Sequence, residues 1–220
     1  MEDIKIDSQF CYRAKKVIQK FPNRALDLLH CFSPSQEKSK RWLVQNLNDF
    51  LSDTNKNKFI DIAIIGSWYG FLPYIIKQDL KCKLISEIRC YDVDDTAKKI
   101  ARLILNNPNR VNFMTRNIDD VDFSQQRFNI IINTSCEHMN DNQLHNWLFN
   151  TRPKTTCVMQ STNKFARDHC NTVENENQLV DNFKEHFSEY KSYTLEFNNY
   201  SRFMIIGIKK WKTITNKLKR

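Results

Sequence analysis

Apolar residues along this chain follow two different rhythms. In the first 55 residues or so they recur at helical spacing. Trp42, Leu43, Leu47, Phe50 and Leu51 share one helical face, and Ser33 and Pro34 stand at the N-cap and first helical positions before them. A short basic helix over 10–20, ended by Pro22, and a second over 24–30 are expected upstream. After the polar break Asp53–Lys58, short continuous apolar runs take over. Strands are predicted over 59–65, 85–93, 111–115, 128–133 and 155–160, with helices over 69–78, 95–105, 143–149 and 179–187 between and after them. Two last strands, 190–197 and 202–209, are separated only by Asn198-Asn199-Tyr200-Ser201, which predicts a hairpin.

Strands alternating with helices predict an α/β fold: a doubly wound, mostly parallel sheet of seven strands, ended by an antiparallel hairpin. The run Ile130-Ile131-Ile132 agrees, because parallel strands are buried on both faces. The expected organisation is a helical extension over 1–57, a core over 58–210 and a basic tail over 211–220.

Ligands of such sheets bind beyond the carboxyl ends of the strands, so the chemistry is sought there. The first strand runs into Gly66-Ser67-Trp68-Tyr69-Gly70, where glycine permits a tight turn and close backbone approach. An ordinary strand-to-helix turn needs no more than this. The second ends in Tyr91-Asp92-Val93-Asp94-Asp95, with Asp92 26 positions past Gly66. A carboxylate there can accept both hydroxyls of a ribose in charge-assisted bonds. Helix capping, the competing use, suits Asp94 better than Asp92. After the third strand come Asn117 and Ile118, an amide for an adenine edge and an apolar side chain for its face. The fourth ends in Asn133-Thr134-Ser135-Cys136-Glu137-His138-Met139.

Together these four strand ends resemble the class I, Rossmann-like methyltransferases that use S-adenosylmethionine (SAM), over about residues 59–210. IDIAIIGSWYG is similar to the first motif of that family, EIRCYDVDD to the second, VNFMTRNIDDVDF to the third and FNIIINTSCEHM to the fourth. The resemblance implies SAM as cofactor, held by Gly66, Ser67, Trp68, Gly70, Asp92, Val93, Asn117, Ile118, Asn133 and Ser135. It implies transfer of a methyl group to an acceptor, with a small molecule favoured over nucleic acid. Two departures stand out. Trp68 occupies the place of a third glycine, and Ile64 stands where an acidic residue is usual. Trp68 is expected to wall the pocket, to stack on the acceptor, or to pack beneath the N-terminal helices.

Methyl transfer is an in-line displacement with a good, neutral leaving group, so alignment matters most and a proton acceptor only sometimes. Glu137, His138 and His169 are the candidates, His169 within a long polar segment after the fifth strand. Cys136 lacks the preceding proline of cytosine-methylating enzymes and is expected to be an inert buried thiol. Where Tyr200 and Arg202 lie depends on the register of the hairpin.

Composition adjusts this picture only slightly. The net charge of +9 makes nucleic acid an eligible partner. Seven cysteines without paired spacing predict neither a disulfide framework nor a structural zinc site, and no metal is expected. No apolar run is long enough to span a bilayer, so a soluble cytoplasmic protein without a membrane partner is expected. Two other functions remain open. One is a same-fold enzyme that uses SAM differently, for instance by aminocarboxypropyl transfer. The other is a nucleic-acid-binding protein on a degenerate methyltransferase core.

Overall fold

Residues 8–51, 59–81 and 84–211 are described by a computed structural model of the chain. The polar break at 53–58, Cys82 and all but the first residue of the basic tail lie outside the described residues. The seven strands belong to a mixed sheet, and the chain divides into two compact units, 1–118 and 119–220.

The first unit holds helices α1 (Ser8–Lys20), α2 (Ala25–Cys31) and α3 (Pro34–Leu51), then β1 (Phe59–Ile65), α4 (Phe71–Asp79), β2 (Leu84–Asp92), α5 (Asp95–Ile104) and β3 (Val111–Thr115). Its strands lie in the order β3-β2-β1 and pair in parallel. Ile62, Ala63, Ile64 and Ile65 of β1 are essentially inaccessible to solvent, which is why this strand reads as an unbroken apolar run. On α5, Ala97, Ile100, Ala101 and Ile104 fall on one stripe, all fully buried. Each isoleucine removed from water there contributes about 1.5–3 kcal/mol.

The N-terminal helices pack onto this half-sheet through specific contacts. Arg13 of α1 donates to the Ile104 carbonyl at the end of α5 (2.6 Å). Phe10, Phe32 and Phe71 form a chain of edge-to-face rings with centroids 5.2 and 4.9 Å apart. Arg41 of α3 pairs with Asp79 at the end of α4, and the Asn48 amide donates to the Asp79 carbonyl (2.9 Å).

The second unit holds β4 (Ile130–Asn133), α6 (Asp141–Asn150), β5 (Thr156–Thr162), α7 (Glu176–Phe183), β6 (Phe187–Glu196) and β7 (Ser201–Lys209). Its strand order is β4-β5-β7-β6, with β4 and β5 parallel and β7 antiparallel to both neighbours. The predicted hairpin is therefore present. Its register pairs Thr162 with Arg202, which puts the Asn198–Ser201 link at the carboxyl end of β5. No described helix is long and apolar enough to cross a membrane.

Candidate functional site

At the carboxyl ends of β1 and β2, the loop after Ile65 and the carboxylate of Asp92 meet. Ser67 donates its backbone N–H to the Tyr91 carbonyl (3.2 Å) and Trp68 donates its own to Asp92 Oδ2 (2.7 Å). Asp92 Oδ1 accepts the Asp94 N–H (3.0 Å). Burial pushes the Asp92 carboxyl above the usual aspartate range, and the bonds from Asp94 and Trp68 oppose that shift without cancelling it. Each carboxylate oxygen has more than one lone pair, so the group keeps acceptor capacity beyond its backbone donors.

The glycine loop owes its shape to three left-handed residues: Gly66 (φ 65°), Trp68 (φ 48°) and Gly70 (φ 81°). Trp68 thus keeps a conformation natural to glycine, a costly one for a bulky side chain. What holds it there is visible. The indole stacks on Tyr69 (5.2 Å between centroids) and meets the His30 ring of α2 edge-on (5.7 Å). The contact with His30 puts the indole against α2, one of the positions expected for this side chain. Gly70 has another reason to be glycine. A Cβ there would lie 2.9 Å from Leu105 Cδ1 and 3.0 Å from Phe113 Cζ, so the residue serves close packing at the start of α4.

Asp94 caps α5, its side chain accepting from the Thr96 N–H (2.8 Å). It also binds Arg24 Nη2 at the head of α2 (2.7 Å), while Arg24 Nη1 reaches Asp27 (3.4 Å) and the Tyr69 hydroxyl lies 3.5 Å from the same Asp27 oxygen. Arg24, Asp27 and His30 thus border the loop, and nothing in the local sequence pattern pointed to them. Val93 is 70% exposed beside Asp92. Ile118 is buried, and Asn117 beside it is exposed. Gln36 and Lys40 of α3 bond to each other (2.6 Å).

In the second unit the predicted polar loop after β4 is closed on itself. Asn133 Oδ1 accepts the Ser135 N–H (3.0 Å) and Nδ2 meets Met139 Sδ (3.3 Å). Burial pushes the Cys136 thiol far above its ordinary range, as an inert cysteine requires. Glu137 follows in a short 3-10 turn (Cys136–His138), only 3% exposed. Its carbonyl accepts the N–H groups of Cys170 (2.9 Å) and Asn171 (3.1 Å), which brings the segment after β5 onto this turn. His138 and His169 come together as a result, their rings perpendicular with centroids 4.8 Å apart. His169 Nδ1 lies 2.7 Å from the Lys164 carbonyl, and His138 Nδ1 lies 3.2 Å from the Asp168 carbonyl and 3.3 Å from its carboxylate. Oxygens of these kinds accept, so each Nδ1 is the donor in its contact and Nε2 is left as the other ring nitrogen. Glu137 Oε1 faces Arg202 Nη1 at 3.6 Å.

No family model and no curated protein matches the sequence. Solved structures do. The CurJ carbon methyltransferase superposes with a TM-score of 0.62 at 11% identity, over 90% of this chain and 71% of that one. This chain has the class I methyltransferase fold. NodS, an N-methyltransferase of Bradyrhizobium japonicum WM9 solved with S-adenosylhomocysteine (SAH), gives 0.61 at 13% identity over 91% of this chain and 99% of its own. Magnesium protoporphyrin IX methyltransferase of Synechocystis PCC 6803, solved with SAM, gives 0.61 at 12% identity over 94% and 100%. The likeness to these methyltransferases lies in the path of the backbone, which agrees with the seven-stranded sheet and terminal hairpin expected from the sequence.

Proposed function

We propose that this protein binds SAM in its first unit and transfers the methyl group to an acceptor, with a small molecule favoured over nucleic acid. The reading rests on the convergence of the Gly66–Gly70 loop and Asp92 at one rim of the half-sheet, joined by the 2.7 Å bond from Trp68 to Asp92. A nucleoside there meets turned backbone from the loop and an acidic acceptor for its ribose hydroxyls. Exposed Val93 and Asn117 stand beside them for the base. NodS and the protoporphyrin enzyme, of the same fold, were solved with SAH and SAM. Gly66, Ser67, Trp68, Gly70, Val93, Ile118, Asn133 and Ser135 remain the other assigned cofactor residues. Where the acceptor must lose a proton, Glu137, His138 and His169 of the second unit are the groups to take it.

Trp68 in the place of a third glycine keeps open a second use of SAM, such as aminocarboxypropyl transfer, because its side chain changes the surroundings of the methionine end. Calorimetric titration with SAM and SAH tests cofactor binding. Both are expected to bind, and Asp92→Ala to weaken SAH at least about ten-fold by removing a charge-assisted acceptor. No binding at millimolar SAM overturns both enzymatic readings and leaves a nucleic-acid-binding protein, whose affinity would fall steeply with salt. Methyl-labelled SAM separates the two enzymes: label in the acceptor supports methyl transfer, and label left on the thioether product supports the alternative.

A further inference from the structure

We infer that Glu137, His138 and His169 form a binding site for a first-row divalent cation of the zinc or cobalt kind. One donor atom from each of the three lies within 4.8 Å of the others. Ligands about 2.0–2.2 Å from a tetrahedral ion sit about 3.3 Å apart, so the group needs to contract by only about 1–1.5 Å.

Three features distinguish this group from a chance meeting of polar side chains. Each imidazole already gives its Nδ1–H to an oxygen, His169 to the Lys164 carbonyl (2.7 Å) and His138 toward the Asp168 carbonyl and carboxylate (3.2 and 3.3 Å). That is how proteins orient metal-binding histidines, with the outer oxygen fixing the tautomer and Nε2 presented to the ion. Second, Glu137 is 3% exposed, and its Oε2 is buried without a hydrogen-bond partner, while Oε1 faces Arg202 (3.6 Å). A buried carboxylate oxygen left unmatched is costly, and a cation satisfies it. Third, the backbone holds the parts together: the Glu137 carbonyl takes the Cys170 and Asn171 N–H groups, anchoring the segment that carries His169. Two imidazoles and one carboxylate suit zinc-like ions better than magnesium or calcium, which prefer oxygen. Three protein ligands leave a fourth position for water or for an oxygen or nitrogen of a bound molecule.

The other cluster of this type, His145, Glu185 and His186, is a poorer candidate. His145 Nδ1 and His186 Nε2 are bonded to each other (2.9 Å), and the charges of Lys209 and Lys210 act on His186. The inference does not depend on the methyl-transfer reading, and a bound ion would replace the proton-accepting role proposed for these three side chains by occupying their free atoms.

The test uses the full chain without a histidine tag, stripped of metal with a chelator and titrated with Co²⁺, then with Zn²⁺ in competition. The expected result is one Co²⁺ per chain, with the visible spectrum of nitrogen and oxygen ligation, displaced by Zn²⁺. Affinity should fall about ten-fold or more in His138→Ala and in His169→Ala, whose partly exposed positions preserve the fold. His145→Ala should bind as the parent does. No saturable uptake, full affinity in either His138→Ala or His169→Ala, or loss of uptake in His145→Ala would each overturn the site. SAH titration of the same sample reads the methyltransferase proposal separately.

Discussion

The backbone N–H of Trp68 donates to Asp92 Oδ2 across 2.7 Å, and Oδ1 of the same carboxylate takes the Asp94 N–H at 3.0 Å. Asp92 therefore locks the turn as well as offering acceptors to a ligand. Asparagine supplies one acceptor oxygen and an amide group that would confront the second N–H donor. Asp92→Asn should accordingly cost about 1–3 kcal/mol at neutral pH by urea denaturation, although it removes a desolvated charge. Burial raises the Asp92 pKa, so the folded chain keeps its proton to higher pH than the unfolded chain does. The stability this group contributes is therefore greatest in acid and declines as pH rises through the raised value. The gap between parent and Asp92→Asn should narrow as pH rises through that window. A gap independent of pH there would show that Asp92 is not desolvated.

Asp94 divides structural from ligand-binding carboxylates. It caps α5 through the Thr96 N–H and pairs with Arg24, both partners being about one-third exposed. Asp94→Ala should lose about 1 kcal/mol from the cap and at most about 0.5 kcal/mol from the screened pair, while SAH affinity stays near that of the parent. If SAH affinity falls as far as in Asp92→Ala, the assignment of the ribose to Asp92 is wrong.

These two aspartates also mark how far the sequence could be read. Buried continuous strands announced themselves, and Phe59–Ile65 and Val111–Thr115 have the predicted limits. Asp94 as cap and Cys136 as inert thiol follow from residue chemistry and position alone. Helix starts were less legible. Helix α6 begins at Asp141, two residues before Gln143, because Asn140 and Gln143 form a capping box, and α7 begins at Glu176 because Asn175 caps it. Helix α7 ends at Phe183, short of the predicted 187, since apolar Phe187 extends the helical pattern but pairs with Lys209 in the sheet. Contacts between distant segments left no periodic signal. Arg24 with Asp94, Trp68 against His30 and the meeting of His138 with His169 depend on how helices and loops pack, which a linear pattern does not encode.

Gly70 tests whether the loop is held by packing or by ligand approach. Alanine at φ 81° is strained, and its methyl group would press Leu105 and Phe113 at 2.9 and 3.0 Å. Gly70→Ala should cost about 2–4 kcal/mol, combining left-handed strain with overpacking. Near-parental stability in urea would mean that α4 shifts freely against Phe113. The close packing assigned to this glycine would then be wrong.

His186 should make the stability of the protein fall in mild acid. It sits after α7 in a 3-10 turn (Lys184–His186) with 12% of its side chain exposed. Its pKa is lowered to about 4, first by burial and then by the charge of Lys209 and the neighbouring His145. An unfolded histidine titrates near 6.5. Between those values the unfolded chain binds a proton that the folded chain refuses, so unfolding is favoured as pH drops from about 6.5 to about 4 and the contribution is gone below that. The shift corresponds to roughly 3 kcal/mol. His186→Gln removes the titration but also disturbs the 2.9 Å bond to His145, so its absolute stability is a poor guide. The informative quantity is the slope of unfolding free energy against pH. Urea denaturation at intervals across that range should give a flatter curve for His186→Gln than for the parent, with the difference in slope vanishing below about pH 4. Parallel curves would mean that His186 takes up its proton in the folded chain as readily as in the unfolded one, and that its burial and the two lysines do not govern it.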